Sequence, residues 1–326
     1  MSTAREKLAA REAALMALVG AVRSVYVEFD RLADMKRDLR DLMDRDHGAS
    51  EAACHLLAGP SGSGKTKFIL DFMADFPRLP HALVNKLGEK ADHAPIICTK
   101  VPRTGTRTLA EQVYEAFALR TAPRNRREQD LIKDIQGFAR EMRTQLVILE
   151  EAHQPFKKKG DYAAREVAGF CKDILNEATF AMLIVGTEEA LRLKGLDEEF
   201  DRRCIHTHRL ASLRWDVPDE CEDFLDVLRA CDAHLAEAVG VLSRLDEPEV
   251  AIRLHVASRG LLGYLAVLLE KAGMIAVRDI VHGPRGAPSR SRNPASHCLG
   301  SRAPMSRSRP TRGSPTPSRC RTPWTS

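Results

Sequence analysis

The sequence predicts an α/β fold with a mostly parallel sheet, because apolar segments of strand length alternate with amphipathic helical segments. The clearest strand candidates lie at residues 56–58, 94–101, 146–149 and 181–185, and residues 204–210 are a weaker fifth candidate. From residue 218 onward the strand candidates stop while helical spacing continues, which predicts a small all-helical second domain. A glycine-rich loop between the first strand and a helix is the third observation, and it points to a ligand.

That loop fits the pattern Gly-x-x-x-x-Gly-Lys-[Ser/Thr], in the strand–loop–helix setting of a phosphate-binding loop. Its glycines allow positive φ and close backbone approach, and the helix that follows adds unpaired N–H donors. Lys65 is expected to reach the β- and γ-phosphates, and Thr66 to place its hydroxyl on Mg²⁺. The alternative is a glycine-rich turn that happens to precede a lysine. The sequence thus predicts that ATP and Mg²⁺ are bound by Gly59, Pro60, Ser61, Gly62, Ser63, Gly64, Lys65 and Thr66.

Two carboxylates, Glu150 and Glu151, follow the apolar segment 146–149. At the carboxyl end of a parallel strand, successive side chains meet the ligand crevice. The first acid can hold Mg²⁺ together with Thr66, and the second can orient and deprotonate the attacking water. Most such enzymes have Asp first, so Glu150 departs from the pattern and is expected to tune or weaken hydrolysis. An exposed acidic turn is the alternative.

Three further polar residues are weaker catalytic candidates. Thr187 ends the fourth strand candidate, where a hydroxyl could sense the γ-phosphate, although Gly186 beside it is also explained by a tight strand exit. Arg202 and Arg203 precede the fifth strand candidate, where an arginine could reach a neighbouring subunit's nucleotide as an arginine finger. A solvated pair of arginines at a helix end is an equal alternative. His153 is expected to pack or hydrogen-bond near the nucleotide, and no His/Cys/Asp spacing predicts another metal site.

Charge is distributed unevenly along the chain. The net charge is +5, but the nine arginines of residues 282–326, where Lys, Asp and Glu are absent, leave residues 1–281 at −4. Overall basicity therefore does not argue for nucleic-acid binding by the folded part. The tail at 282–326 is built mainly from Arg, Ser, Pro, Thr, Gly and Ala, a composition that predicts disorder. A basic nucleic-acid arm and a frame-shifted reading of the gene are both open interpretations, of which we favour the second.

Local basic clusters are the remaining indication of a nucleic-acid contact. The segment 100–107 follows the second strand candidate and mixes positive charge with hydroxyls and a glycine, which suits phosphate contacts. Aromatic residues are only 5% of the chain, so base stacking is not indicated. Basic clusters at 120–127 and 157–159 are alternatives, and any of the three could be a solvated face. Contacts to the backbone of duplex DNA are therefore predicted at Lys100, Arg103, Thr104, Thr106 and Arg107.

The N-terminal region and the cysteines complete the predicted organisation. Val22, Val25, Phe29, Leu32 and Met35 recur at helical spacing, which predicts a helical lead-in over residues 1–50, docked beside the α/β domain. A self-associating helix is the alternative. No apolar stretch is long enough to cross a bilayer, so no membrane is expected. The eight cysteines contain no C-x-x-C pair, which favours reduced thiols in the cytoplasm.

Five motifs carry a family resemblance: GPSGSGKT, LVILEEAHQ, LIVGTEEA, EFDRRC and SRGLLGYLAVLLEKA. In this order and spacing, over roughly residues 22–277, the chain resembles the TniB family, which are AAA+ ATPases of bacterial transposons related to TnsC. The resemblance implies an AAA+ nucleotide-binding domain at 51–215 and a helical lid at 216–281, and it does not extend into the tail. The roles that it implies are ATP·Mg²⁺ binding by Lys65 and Thr66, catalysis by Glu151, sensing by Thr187, and a finger at Arg202 or Arg203.

The function that the resemblance implies is ATP-dependent regulation of DNA transposition. Such a protein oligomerises with ATP, as a ring or filament, on target DNA and recruits or activates a transposase. The family usually has Asp where this sequence has Glu150, which leaves the rate of hydrolysis open. Two other classes stay open. One is a signalling or scaffold NTPase that switches a protein partner without DNA, and the other is a degenerate, inactive pseudo-ATPase.

Overall fold

The computed structural model describes residues 4–45, 52–84, 88, 90–103, 106–157, 161–176, 178–239 and 243–282. Residues up to Gly283 form one compact unit. The predicted disordered tail beyond His282 lies outside the described residues, so the two interpretations of it stay predictions. The predicted division of the remainder at residues 50 and 215 also stays a prediction.

A five-stranded parallel sheet forms the centre of this unit, as the alternation of strands and helices predicts. Its strands stand in the order β4-β5-β6-β1-β7. β1 and β6 are buried along their whole length, which explains why both segments are almost continuously apolar. The strand bounds are β1 Cys54–Ala58, β4 Ile96–Lys100, β5 Leu146–Glu150, β6 Ala181–Gly186 and β7 Cys204–Arg209.

The parallel register brings the carboxyl ends of these strands together. Ala58 at the end of β1 pairs with Gly186 at the end of β6, and Lys100 at the end of β4 pairs with Glu150 at the end of β5. The loop after β1 and the two acids after residue 149 therefore emerge at one edge of the sheet, where ligands bind in open α/β folds.

Helices cover both faces of the sheet. On one face lie α4 (Thr106–Ala118), α5 (Glu128–Met142), α6 (Tyr162–Asn176) and α7 (Glu198–Arg203). They pack against the sheet through fully buried aromatic side chains such as Phe117, Phe170 and Phe200. The other face is covered by α1 (Ala4–Ser24), α2 (Asp30–Met43), α3 (Lys65–Ala74), α8 (Pro218–Val239), α9 (Pro248–Ser258) and α10 (Leu262–His282).

The N-terminal lead-in consists of two helices rather than the single periodic helix expected from Val22 to Met35. The chain is non-helical from residue 25 to Phe29, whose backbone is extended at φ −87° and ψ 161°, and α2 begins after it. Val22, Phe29, Leu32 and Met35 are still buried, and Val25 is partly buried against the same cluster. Lys36 on α2 forms ion pairs with Glu28 and Asp71, which joins α2 to the helix after the glycine-rich loop.

Some elements of the fold are not indicated by the sequence patterns. The sequence gives no clear signal for the antiparallel pair β2 (Leu79–Val84) and β3 (Lys90–His93), nor for α9. The residue at the N-cap of α5 is Arg127, which makes no side-chain capping hydrogen bond. The acidic residues of its first turn stabilise that end through the helix dipole instead.

The edge of the sheet at β7 carries a pair of buried imidazoles. His55 Nδ1 on β1 lies 3.1 Å from His208 Nε2 on β7. Burial lowers the pKa of His55 to about 3 and that of His208 to about 4, so both rings are neutral at pH 7.

None of the described helices is by itself long and apolar enough to cross a bilayer. The two helices Pro248–Ser258 and Leu262–Ala276 would meet the test of length and composition together, but they are bent by 115° to each other.

Candidate nucleotide-binding site

The loop after β1 has a backbone that only glycine accommodates at three positions. Gly62 and Gly64 have φ of +82° and +102°, which side chains disfavour. A Cβ at Gly59 would lie 2.1 Å from the carbonyl oxygen of Leu210. The loop therefore turns tightly between β1 and α3, and α3 begins directly at Lys65. This arrangement directs the first N–H groups of α3 toward the space enclosed by the loop.

Lys65 lies half-buried inside that loop. Its Nζ donates to the carbonyl oxygens of Gly59 and Pro60, each at 2.8 Å, and to Ser63 Oγ at 3.3 Å. Burial lowers the pKa of the lysine, while the negative charges of Glu151 and Glu188 act in the opposite direction. The ammonium group is thus held where the backbone of the loop would surround a phosphate.

Thr66 and Glu150 form the second part of the site. Thr66 Oγ1 donates to Glu150 Oε1 at 3.3 Å, although the two residues are 84 positions apart. A hydroxyl and a carboxylate oxygen are the hard donors that Mg²⁺ prefers. The side chains present therefore fit a magnesium ion, and the longer side chain of Glu150 reaches the threonine without difficulty.

Glu151 leaves the strand in a left-handed conformation, with φ +61°. Such backbone values are uncommon for residues other than glycine and cluster at functional sites. The turn places its carboxylate in the cleft, where Gln154 Nε2 donates to Oε2 at 2.9 Å and His153 Nε2 lies 3.4 Å from the same oxygen. The acid is thus oriented by two neighbours from its own loop.

His153 also connects this acid to Thr187. The backbone N–H of Thr187 donates to His153 Nδ1 at 3.4 Å, which leaves the proton of the neutral ring on Nε2, facing Glu151. Burial lowers the pKa of His153, and this favours the neutral ring. The sequence placed His153 only near the nucleotide. The signal in the sequence is that His153 and Gln154 closely follow the two carboxylates. Their position could have predicted that His153 connects Glu151 to Thr187.

The two arginine-finger candidates differ in exposure. Arg203 is only 7% exposed, and its guanidinium donates to Asn176 Oδ1 at 2.6 Å and to the carbonyl oxygens of Ala52 and Leu175. These bonds hold Arg203 inside its own subunit, which argues against a finger role for this residue. Arg202 is exposed on α7 and remains the candidate.

The predicted DNA-contact residues are only partly described. Lys100 is exposed at the end of β4, beside Glu150 in the sheet. Arg103 is exposed and its Nε donates to Gln154 Oε1 at 3.1 Å. Thr104 lies outside the described residues, and Thr106 and Arg107 form the start of α4, without described side chains. Arg103 is therefore linked through Gln154 to Glu151, the candidate general base.

Two cavities meet at the glycine-rich loop. The first, of about 640 Å³ and called the polar cleft, is lined mainly by charged and polar residues, which include Lys65, Thr66, Glu150, Glu151 and Thr187. Its volume is typical of sites that hold a small-molecule ligand or cofactor. The catalytic and metal-binding candidates other than the two arginines thus share one cleft.

The second cavity, of about 230 Å³, is mainly apolar and lies on the other side of the same loop. It is formed by the non-helical segment 25–29, the residues that follow β7, and helices α3, α8 and α10. Sequence patterns do not indicate this cavity, because its walls come from five separate parts of the chain. Among the side chains that line it are Val25, Phe29, Leu210, Val227, Leu265 and Ala266.

α10 touches the loop directly between these cavities. The N–H of Gly263 donates to the carbonyl oxygen of Gly62 at 2.8 Å. A Cβ at Gly263 would lie 2.8 Å from Gly62 Cα, so the close approach requires glycine.

A parallel sheet of this strand order, with a glycine-rich loop and paired acids at its carboxyl edge, defines a P-loop ATPase. Comparison with known families is specific. The family model described as "Bacterial TniB protein" matches residues 20–213, more than half of the chain. The chain belongs to the TniB family: four of the five motifs lie within the matched residues, and SRGLLGYLAVLLEKA follows them.

Solved structures support the same fold. The chain is similar to the ORC1 protein of Aeropyrum pernix in complex with DNA, with 17% identity and a TM-score of 0.53. The match covers 80% of this chain and 64% of that one, so this chain spans less than two thirds of the ORC1 protein's length. A Walker-type ATPase of Pyrococcus abyssi matches with 14% identity and a TM-score of 0.50, over 78% of this chain and 73% of that one. No curated protein sequence matches the chain.

Proposed function

We propose that this protein is an ATPase that binds ATP with Mg²⁺, assembles on duplex DNA and regulates transposition through a transposase. The observation that carries the proposal is the convergence of Lys65, Thr66, Glu150 and Glu151 in one cleft at the carboxyl edge of the sheet. Membership of the TniB family supports the link to transposition. We place this function in the cytoplasm.

The polar cleft would hold the triphosphate. The N–H groups of the loop and the Lys65 ammonium would bind the β- and γ-phosphates, because they supply concentrated positive potential with little reorganisation. Thr66 and Glu150 would hold Mg²⁺, which neutralises charge on the phosphates when it is bound. Thr187, at the end of β6, would sense the γ-phosphate.

The apolar cavity on the other side of the loop would hold the base. It shares Gly64 and Lys67 with the polar cleft, so one ligand could extend from one cavity into the other. A flat apolar ring system would displace water from Val25, Leu210 and Leu265, which favours binding in proportion to the apolar area removed from water.

Glu151 would act as the general base for hydrolysis. A base must lie within hydrogen-bond reach of the water that it deprotonates, and here the carboxylate faces the cleft between Lys65 and Thr187. His153 and Gln154 would hold it in that orientation through the contacts to Oε2. Arg202 would complete the site of an adjacent subunit in an oligomer.

Lys100 and Arg103 would grip the phosphate backbone of DNA. Both are exposed beside the nucleotide cleft, and such contacts carry no base information. Among the alternative clusters, Arg126 is already paired with Asp134 at 2.5 Å, which makes it a weaker candidate. One subunit offers few contacts, so DNA affinity is expected to depend on ATP-driven assembly.

The decisive experiment is electron microscopy of the full chain with duplex DNA, with and without a slowly hydrolysed ATP analogue. Ordered rings or filaments on DNA only with the analogue would support the proposal. ATP-dependent assembly that ignores DNA would instead favour the signalling or scaffold class. Normal assembly without turnover would favour a pseudo-ATPase.

A further inference from the structure

Three metal-ligating side chains converge beside the edge strand, away from the nucleotide cleft. Asp38 comes from α2, and His206 and His208 come from β7. One potential ligand atom from each lies within 4.8 Å of the other two. Asp38 Oδ2 is 4.0 Å from His206 Nε2 and 3.9 Å from His208 Nδ1.

Those distances are too long for direct hydrogen bonds, whose N–O separations are about 2.7–3.2 Å. They are close to the separation of two ligands on one metal ion, since tetrahedral ligands with bonds of 2.0–2.1 Å lie about 3.4 Å apart. Asp38 and His206 are half exposed, so their side chains have room to close the remaining distance. The three groups therefore surround a point that a small cation would fill.

Strand geometry explains why the two histidines act together. Residues i and i+2 of a strand point to the same face, so His206 and His208 lie side by side, with ring centroids 4.4 Å apart. The ring of His208 is buried and its Nε2 is engaged by His55 Nδ1 at 3.1 Å. A hydrogen bond of this kind to one ring nitrogen fixes the orientation of an imidazole and leaves its other nitrogen for a metal.

We propose that Asp38, His206 and His208 bind one divalent cation of the zinc type, with water as the fourth ligand. Two imidazoles and a carboxylate form a donor set suited to Zn²⁺ rather than to Mg²⁺. His55 is a positioning residue, because its Nδ1 holds the Nε2 of His208. No spacing in the sequence predicts this site, because Asp38 is 168 residues away from His206.

The site would act on structure rather than on hydrolysis. In the sheet register His206 pairs with His55 and His208 pairs with Leu57, four and two residues before the loop begins, so the two histidines lie roughly 13 Å and 7 Å from the loop along the strand. A bound ion would join α2 to the edge strand β7, which otherwise has no strand partner on its outer side among the described residues. Binding that favours the native state raises its stability by mass action.

The test is Zn²⁺ titration of the full chain in competition with a chromophoric chelator, with excess Mg²⁺ and no nucleotide. The expected result is one competing Zn²⁺ site per chain and a higher melting temperature with Zn²⁺. Asp38→Asn and His206→Ala should each weaken binding about 100-fold and abolish the rise in melting temperature. Asp34→Asn is the matched control, since Asp34 lies one turn earlier on α2 with an exposed carboxylate.

Unchanged Zn²⁺ affinity in both Asp38→Asn and His206→Ala would overturn the proposal, as would the same loss in Asp34→Asn. Both ligand variants replace half-exposed side chains, so they are expected to fold without metal. A melting temperature equal to that of the wild type in chelator would confirm that they do.

Discussion

The two cavities at the glycine-rich loop differ in how the chain builds them. The polar cleft is formed by short consecutive motifs at the ends of β1, β5 and β6, with most of its candidate residues adjacent in sequence. The apolar cavity is enclosed by side chains from five parts of the chain, spanning residues 22 to 266. If the two cavities hold ATP as proposed, phosphate recognition would depend on local backbone geometry, whereas recognition of the base would depend on the packing of distant helices.

This difference predicts separable defects. Substitutions in the loop should affect every phosphate ligand, including inorganic tripolyphosphate, which has no base. Substitutions in the apolar cavity should affect ATP and spare tripolyphosphate. Comparing the two ligands in one variant therefore identifies which half has been damaged.

The largest effect is expected from Lys65→Ala. Removing the ammonium should abolish measurable binding of both ATP and tripolyphosphate. The reason is that, among the described residues, Lys65 is the lysine whose ammonium lies inside the loop. Fluorescence titration with both ligands measures this. Lys133→Ala is the matched control, since Lys133 is an exposed lysine on α5 that lines neither cavity. Wild-type ATP affinity in Lys65→Ala would contradict the assignment of the cleft.

Glu151→Gln should leave ATP binding intact and slow hydrolysis by about 10²–10⁴-fold, because the amide cannot accept a proton. Glu150→Gln should instead raise the Mg²⁺ concentration needed for half-maximal activity, since it weakens the pair with Thr66. Phosphate release at varied Mg²⁺ separates the two. Loss of turnover in Glu150→Gln, with normal turnover in Glu151→Gln, would reverse these roles.

Ala266→Phe should fill the apolar cavity. We expect about a tenfold loss of ATP affinity, equivalent to about 1.4 kcal/mol, with tripolyphosphate affinity unchanged. Calorimetric titration with each ligand checks this. Ala272→Phe, on the exposed side of the same helix, controls for added bulk. An equal loss for tripolyphosphate would show that the two halves are not separable.

Gly263→Ala tests the contact between α10 and the glycine-rich loop, which lies between the two cavities. The added Cβ would meet Gly62 Cα at 2.8 Å, so α10 must move away from the loop. We expect a several-fold loss of affinity for ATP and a smaller one for tripolyphosphate. Gly137→Ala is the control, because a Cβ there meets no atom within 4 Å. Unchanged ATP affinity in Gly263→Ala would mean that the contact is unimportant.

The smallest effects should come from the DNA-contact candidates. Lys100→Ala and Arg103→Ala should each weaken binding to all duplexes similarly and lower the salt dependence by about one phosphate contact. DNA affinity measured against salt, with an ATP analogue, tests this. Only Arg103→Ala should also change DNA-free hydrolysis slightly, because Arg103 holds Gln154 beside Glu151. An unchanged salt slope in both variants would place the DNA surface elsewhere.

Much of the polar cleft could be predicted from the sequence, because its residues belong to short local motifs. The strand before Gly59 and the helix from Lys65 follow from a motif, and the acids after residue 149 follow from a strand end. The convergence of Thr66 and Glu150 then results from parallel pairing, which a sequence of alternating strands and helices implies.

The remainder depends on contacts that no local pattern carries. Arg203 is held in the interior by three oxygen acceptors that are distant from it in sequence. One is on Ala52, just before β1, and two are on Leu175 and Asn176, at the end of α6. The non-helical segment before α2 interrupts a regular apolar period without a proline or glycine to mark it. The partners of His206 and His208 are likewise set by how α2 lies against the edge strand.

The hydrogen bond between Gly263 and Gly62 joins the first turn of α10 to the glycine-rich loop, so a small movement of the loop would be transmitted along the helix. The helix has 21 residues and is therefore about 31 Å long. A rotation of about 5° at its first turn would displace its far end by about 2.7 Å. Glu270 on the same helix accepts from Arg23 at the end of α1, so that motion would reach the N-terminal helix as well. A small rotation at the phosphate loop would therefore move both the far end of α10 and the end of α1.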